Sequence, residues 1–321
     1  MEAVPLKFVD SVVEQLGWET LTELAPNVRH WRWKHVIYLH YRNRVYYEVV
    51  FRKEEQGFKH AFKDKKGKLD LLINARMILK NRRFARIFYV RDATKGRCSP
   101  HWDNVQLLSE SATQKLLGSI APLIDRVSGK FKSFSGSAEC TNVLLTSFSR
   151  KVYLRELTLR YCGQIAYDFL EDQINNSHFL SYVRIAGRNW PQSSLDLIRK
   201  FCLKGRLGRR TEATVASRDV VINSGYIKSL FNVWRTGGDL NFCLYYDWTI
   251  ADDDDDDELG PLLNQGGVKS NPSWVPTTVV HRTKKSIACV SNSYYLIQCF
   301  ICECRFLRCN LKERYPEYHN F

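Results

Sequence analysis

From residue 5 to residue 40 the apolar side chains recur at helical spacing. Phe8, Val9, Val12, Val13 and Leu16 fall at i, i+4 and i+8, Pro5 suits a first helical turn, and Gly17 sits where a helix stops. Leu21 and Leu24, then Val28, Trp31, His35, Ile37 and Leu39, continue the pattern and predict two further short helices. At Arg42 the period changes. Val45 to Phe51, Phe58 to Phe62, Leu69 to Ile73 and Phe84 to Val90 are short runs rich in Val, Tyr, Phe and Ile. Polar turns such as Lys65-Lys66-Gly67-Lys68 separate them, and they predict strands.

Ser111 to Gln114 has capping-box spacing and predicts a helix whose buried side is Leu116, Leu117, Ile120, Leu123 and Ile124. The Ser/Gly-rich stretch Ser128 to Ser137 predicts a flexible boundary. Beyond it, Leu154-Arg155-Glu156-Leu157-Thr158-Leu159-Arg160-Tyr161-Cys162 matches the repeat template L-x-x-L-x-L-x-x-C at every fixed position. Leu180 to Ile185 restates the strand, with Val183 standing 26 residues after Leu157. Helix-like stretches follow each copy (Ile165, Phe169, Leu170, Ile174; then Leu195, Leu197, Ile198, Phe201). A third candidate unit runs from Tyr226, Leu230, Val233 and Trp234 into Leu240, Phe242, Leu244 and Tyr246. Leucine-rich repeats and ordinary α/β alternation both remain open, and either implies parallel strands with helices outside.

Composition narrows the class. With 44% apolar and 26% charged residues over 321 positions, the chain is neither disordered, collagen-like nor a small disulfide-stapled scaffold. Lys and Arg number 48 against 34 Asp and Glu, a net charge of +14, and seven of those carboxylates form one run, Asp252 to Glu258. The rest of the surface is therefore strongly basic and suited to acidic partners. Residues 52–97 hold fifteen Lys/Arg and five Asp/Glu. Phe84, Phe88 and Tyr89 interleave with them, so nucleic-acid binding by this face is the alternative to an ordinary solvated sheet. The acidic run reads as a solvated loop, or as an internal competitor for a basic ligand site.

Candidate chemistry is sparse. The chain has no phosphate-binding glycine loop, no His-Glu-x-x-His and no Gly-x-Ser-x-Gly, so no catalytic residue, enzyme activity or cofactor is expected. His30, His35 and His40 stand at five-residue intervals, about 140° apart on a helix, and do not form a ligand set. Cys299-x-x-Cys302-x-Cys304-x4-Cys309 is dense enough to suggest zinc thiolates. However, Ile297 to Phe306 lacks the Gly or Pro of a metal knuckle. Its alternation places Cys302, Cys304 and Phe306 on one face and Glu303 and Arg305 on the other, so a cysteine-lined core strand without metal is the expectation. Glu2, Asp10, Glu14, Glu19 and Glu23 interrupt any apolar signal core. The apolar stretch Tyr294 to Leu307 is broken by Gln298, Glu303 and Arg305 and is too short for a bilayer. A soluble protein of cytoplasm or nucleus, with reduced cysteines and no membrane partner, is expected.

Val4-Pro5, Phe8, Val12-Val13, Leu16, Leu21, Leu24, Val28 and Trp31 resemble the F-box pattern, with five residues from Leu16 to Leu21 and seven from Leu21 to Val28. Val4 stands where Leu is usual, and Trp31 lies one step early. The whole chain resembles the nematode F-box proteins, in which a divergent F-box precedes a variable α/β or leucine-rich-repeat-like region. That resemblance implies an α+β protein in three parts. Residues 1–42 would be a small helical F-box-like unit, 43–130 a strand-rich basic region ending in a helix, and 131–321 an α/β leucine-rich-repeat-like arc. It also implies a non-catalytic substrate adaptor of an SCF-type cullin–RING ubiquitin ligase. Pro5, Phe8, Val12, Leu16, Leu21, Leu24, Val28 and Trp31 would bind a Skp1-type adaptor, and through it the cullin scaffold. The C-terminal region would hold a protein substrate. Arg155, Arg160, Arg184 and Arg206, with Lys204, Arg209 and Arg210 nearby, would favour an acidic or phosphorylated segment.

Overall fold

The computed structural model describes residues 4–96, 102–246, 277–291, 296–306 and 308–319. The chain is mixed α/β, opening with a helical portion and continuing into mixed parallel and antiparallel sheet, and it divides into two compact units, residues 1–180 and 181–321. No helix among the described residues is long and apolar enough to cross a membrane.

In the first unit the helices are α1 (Leu6–Glu14), α2 (Trp18–Asn27) and α3 (Trp31–Asn43). Val9 and Val13, one turn apart, meet Leu21, Ala25, Val36 and Ile37 in a core of their own. Gly17 does not end α1. It precedes α2, and a Cβ there would lie 2.8 Å from Val127 Cγ1, so glycine permits that close approach. Arg44 joins these helices to the sheet. Its buried guanidinium donates to the Val13 carbonyl at 2.8 Å and the Glu14 carbonyl at 2.9 Å, and also reaches the carbonyl of Leu16. A cation thus meets the C-terminal dipole of α1.

The strands β1 (Val45–Glu54), β2 (Gly57–Asp64), β3 (Ala85–Asp92), β4 (Lys130–Lys132) and β5 (Glu156–Arg160) lie in the order β2-β1-β3-β4-β5. The β1/β2 pair is antiparallel, and β1/β3, β3/β4 and β4/β5 are parallel. Helix α4 (Ala75–Lys80) precedes β3, α5 (Glu110–Ile120) precedes β4, α6 (Ala138–Phe148) joins β4 to β5, and α7 (Gln164–Asn176) follows β5. The cap of α5 is Ser109, whose Oγ accepts from Ala112 N, so the helix starts before the expected box; Leu117 and Ile120 are buried and Leu116 half-buried.

Two expectations change here. Leu69 to Ile73 is not a strand. It makes one bridge, Leu69 to Lys63, and then the Asp70 carboxylate accepts from Leu72 N at 2.9 Å, offering the backbone a turn instead of a ladder. Ser128 to Ser137 is not a flexible boundary. It contains β4, whose Phe131 is buried between Val90 and Leu157 on adjacent strands. Its small residues cap and admit neighbours. Ser133 Oγ accepts from Arg160 N, Ser137 Oγ accepts from Cys140 N, and a Cβ on Gly136 would sit 2.3 Å from Asp92 Oδ2.

In the second unit, β6 (Tyr182–Gly187), α8 (Ser194–Cys202), β7 (Thr211–Ser217), α9 (Ser224–Gly237) and β8 (Phe242–Tyr246) alternate, and β6/β7 and β7/β8 are parallel. Then β9 (Thr277–Val280), β10 (Ser286–Ser291) and β11 (Leu296–Ile301) complete the order β6-β7-β8-β11-β10-β9, with β8/β11, β11/β10 and β10/β9 antiparallel. The expected arc of parallel strands therefore does not extend through this unit. The register gives one reason. Val183, Ala213 and Leu244 face one another on successive strands at sequence intervals of 30 and 31, outside the period of the template. A short helix α10 (Asn310–Arg314) follows β11.

Candidate functional site

Three features of the described residues bear on function: the surface of the N-terminal helices, the arginines, and a cysteine–histidine cluster.

On the helices, one turn of α1 divides its side chains. Val9 and Val13 face inward, while Leu6 is 49% and Phe8 55% exposed, and Trp31 at the start of α3 is 67% exposed. Arg32 Nη1 donates to the Val4 carbonyl at 3.0 Å, which holds the beginnings of α1 and α3 side by side. Pro5 is exposed too; Val12, Leu16, Leu24 and Val28 are half-buried, and Leu21 is fully buried in the helical core. The eight residues of the F-box-like pattern thus split into an interior member, four at the margin and three outside.

The back of the same helices is polar and paired. His40 is fully buried, and its Nε2 meets Asp10 Oδ1 at 2.9 Å; Arg83 Nη2 reaches the same oxygen at 2.9 Å. Burial pushes the His40 pKa below its ordinary value, with Arg44 and Arg83 adding to the fall and Asp10 opposing it. Burial raises the Asp10 carboxyl, but hydrogen bonds and charge from His40 and Arg83 outweigh it and leave the pKa lowered. Asp10, Glu14, Arg82, Arg83, Arg86 and Asp125 help line a cleft of about 650 Å³. Arg86 pairs with Glu14 at 3.1 Å. Opposite charges that neutralise each other in this way make a joint between α1 and β3.

The four arginines expected at a ligand rim are differently engaged. In the first unit, Arg155 precedes β5, and its Nη1 lies 2.6 Å from Glu19 Oε2. Arg160 is exposed at the end of that strand. In the second unit, Arg184 is half-buried on β6. Arg206 folds onto the carbonyls of Leu203 and Gly205 and pairs with Asp239 at 3.2 Å. Arg210 stacks over Phe300 at 4.8 Å and donates to Asn310. The acidic run Asp252 to Glu258 lies outside the described residues. In the basic segment 52–97, Arg52, Lys53, Arg83, Arg86 and Arg91 pair with Glu54, Glu139, Asp10, Glu14 and Glu48. Phe88 packs edge-on against Tyr46.

The cysteine reading changes most. The strand ends at Ile301, and Phe306 N bonds the Glu303 carbonyl at 2.8 Å, turning the chain without glycine or proline. Glu303 is buried and does not share a solvent face with Arg305. Its Oε1 accepts from Gly208 N and Asn241 Nδ2, both at 2.9 Å, and its Oε2 accepts from Asn310 Nδ2 at 3.3 Å. Pulling Glu303 inward breaks the alternation, and Cys302 and Cys304 are delivered to one point with Cys309 and His319. The ligand atoms of these four all lie within 4.8 Å of one another. Cys302 and Cys304 Sγ are 3.4 and 2.9 Å from His319 Nε2, and Glu303 N donates to Cys309 Sγ at 3.2 Å. Sequence reasoning weighed the cysteines and missed His319. The usable signal was a histidine ten residues after Cys309.

The thiols of Cys162 and Cys289 lie elsewhere, and burial pushes both up to about 11. They stay protonated near neutrality; Cys289 is a small core residue and Cys162 is half-buried. Comparisons with protein families, curated proteins and solved structures find no match to the chain.

Proposed function

We propose that the protein is a non-catalytic substrate adaptor. Its N-terminal helices dock on a Skp1-type partner of an SCF-type cullin–RING ubiquitin ligase. The observation that carries this reading is the division of the F-box-like positions. Val9, Val13 and Leu21 already fill the helical core, yet Leu6, Phe8 and Trp31 remain exposed at the joined ends of α1 and α3. Apolar side chains left over after a core is closed suit an apolar groove on a partner. Arg52, Lys53, Arg83, Arg86 and Arg91 already have acidic partners within the chain, which weighs toward this reading over nucleic-acid binding by residues 52–97. On the substrate side, Arg155 and Arg206 are committed to Glu19 and Asp239. Recognition of an acidic or phosphorylated segment therefore rests first on Arg160, exposed at the end of β5.

Point variants test the docking better than truncation, because Arg44, Arg83 and Arg86 bind α1 to the rest of its unit. Phe8→Ser and Trp31→Ser in the full chain should leave the urea midpoint nearly unchanged. Each should weaken binding to a purified Skp1-type adaptor by at least about tenfold, since burying half an aromatic ring contributes roughly 2 kcal/mol. Wild-type protein that does not bind the adaptor would sink the reading. A peptide array with Arg160→Ala protein tests the substrate side, and an unchanged profile removes the acidic preference.

A further inference from the structure

We propose that Cys302, Cys304, Cys309 and His319 form a structural zinc site that clasps the segment after β11. Three thiolates and one imidazole are a complete tetrahedral donor set for zinc, the closed type that leaves no position for substrate. With bond lengths of about 2.3 Å to sulfur and 2.0–2.1 Å to nitrogen, the ligand atoms of such a tetrahedron lie about 3.5–3.8 Å apart. The four atoms here fall within 4.8 Å of one another, and His319 Nε2 lies 3.4 and 2.9 Å from the sulfurs of Cys302 and Cys304. Small side-chain rotations reach ligand distance. An iron–sulfur cluster, with several metal atoms between its thiolates, needs its ligands further apart than a single ion does.

Two further observations point the same way. The Glu303 amide donates to Cys309 Sγ at 3.2 Å, an outer hydrogen bond of the kind that orients a metal-bound thiolate. Glu303 itself is anchored by Gly208, Asn241 and Asn310, so the turn carrying Cys302 and Cys304 is held in place by the body of the second unit. The segment also needs a fastener. Its apolar anchor is a small cluster of Ile287, Cys289, Phe300, Cys309 and Leu311, and α10 has only five residues. A metal linking the end of β11, the turn, the start of α10 and the stretch beyond it ties four points with one ion. Where apolar burial is this limited, metal binding supplies folding free energy. On binding, the three Sγ–H protons leave to solvent, the thiolates bind Zn²⁺, and His319 binds through neutral Nε2. Affinity therefore falls as pH falls.

The test uses the full-length chain, purified without a metal column and with its thiols kept reduced. Elemental analysis should give one zinc per chain. After exchange, Co²⁺ should show the intense visible bands of tetrahedral thiolate coordination. Removing an outer partner of a metal ligand costs 10–100-fold in affinity, so Cys304→Ser and His319→Ala should each cost at least about tenfold in a chelator competition. His319→Cys restores four donors and should keep tight binding, with cobalt bands moved toward an all-thiolate site. Cys162→Ser, outside the cluster, should change nothing. Chelation should raise amide exchange across residues 302–319 while β6 and β7 stay protected. Absence of the cobalt–thiolate spectrum, metal binding that Cys304→Ser and His319→Ala leave unchanged, or a disulfide among these thiols in the reduced preparation would each overturn the assignment.

Discussion

Replacing Arg44 with Met tests how firmly the N-terminal helices are held. Met keeps most of the apolar stem and removes the guanidinium, which is buried and donates at 2.8 and 2.9 Å to the carbonyls of Val13 and Glu14. A hydrogen bond from a charged donor contributes about 1.5–3 kcal/mol, and the favourable position at the end of α1 adds roughly 0.3–1 kcal/mol. Freeing the guanidinium from its own desolvation offsets part of that sum, leaving a loss of about 3 kcal/mol. The chain has two compact units, so a single unfolding midpoint averages over both. Amide exchange read locally is the better assay. Amides of α1 that open sub-globally should exchange about a hundredfold faster, at 1.4 kcal/mol per factor of ten, while β7 and β8 keep their rates. Arg44→Lys, with a point charge that cannot span the carbonyls as a fork, should fall between Met and wild type. Exchange in α1 that changes less than threefold in Arg44→Met would show that the cap is incidental and that apolar packing alone seats the helix.

Three other outcomes follow from particular contacts. Gly136→Ala puts a methyl group 2.3 Å from Asp92 Oδ2, a buried oxygen that also accepts from Ser137 N and Thr141 Oγ1, and should cost about 1–3 kcal/mol in urea unfolding. Glu303→Gln turns one acceptor into a donor facing the Asn310 amide and should destabilise the second unit by about 1.5–3 kcal/mol. A loss below about 0.5 kcal/mol would count against the anchoring role of Glu303. Stability should also fall on the acid side. The folded His40 pKa lies below 6.5, so the unfolded chain takes the proton more readily, and the contribution present above that pH is lost as pH drops below it. The folded Asp10 pKa is lowered from 3.8, so its contribution is lost later, as pH falls through the carboxylate range. Urea midpoints at pH 8 and pH 5.5 check the first step, and His40→Gln should flatten it.

Periodicity along the chain was enough for elements whose burial is one-sided. The helices around Val9, Val13 and Leu21 and the alternation of Leu157 and Leu159 were legible because each buries every second or every third to fourth residue. The strands around Val49 and Phe62 were legible instead from short apolar runs whose burial is consecutive. Strands rich in small or polar residues were not. Phe131 sits in a Ser/Gly run, and β7 buries Thr211, Ala213, Val215 and Ser217, which carry little hydrophobic signal. Their strand state comes from neighbours that supply a ladder on both sides. The F-box-like positions were readable as apolar, but not as inside or outside. Phe8 and Val9 are adjacent and equally apolar, and only the helix packing buries one and exposes the other. For the cysteines, local alternation argued for a continued strand. The carboxylate of Glu303 found Gly208 and Asn241, each more than sixty residues away in sequence, and turned the chain inward. Local pattern records which side chains avoid water. Which polar groups satisfy one another, and therefore where four ligands meet, depends on contacts that a short stretch of sequence does not contain.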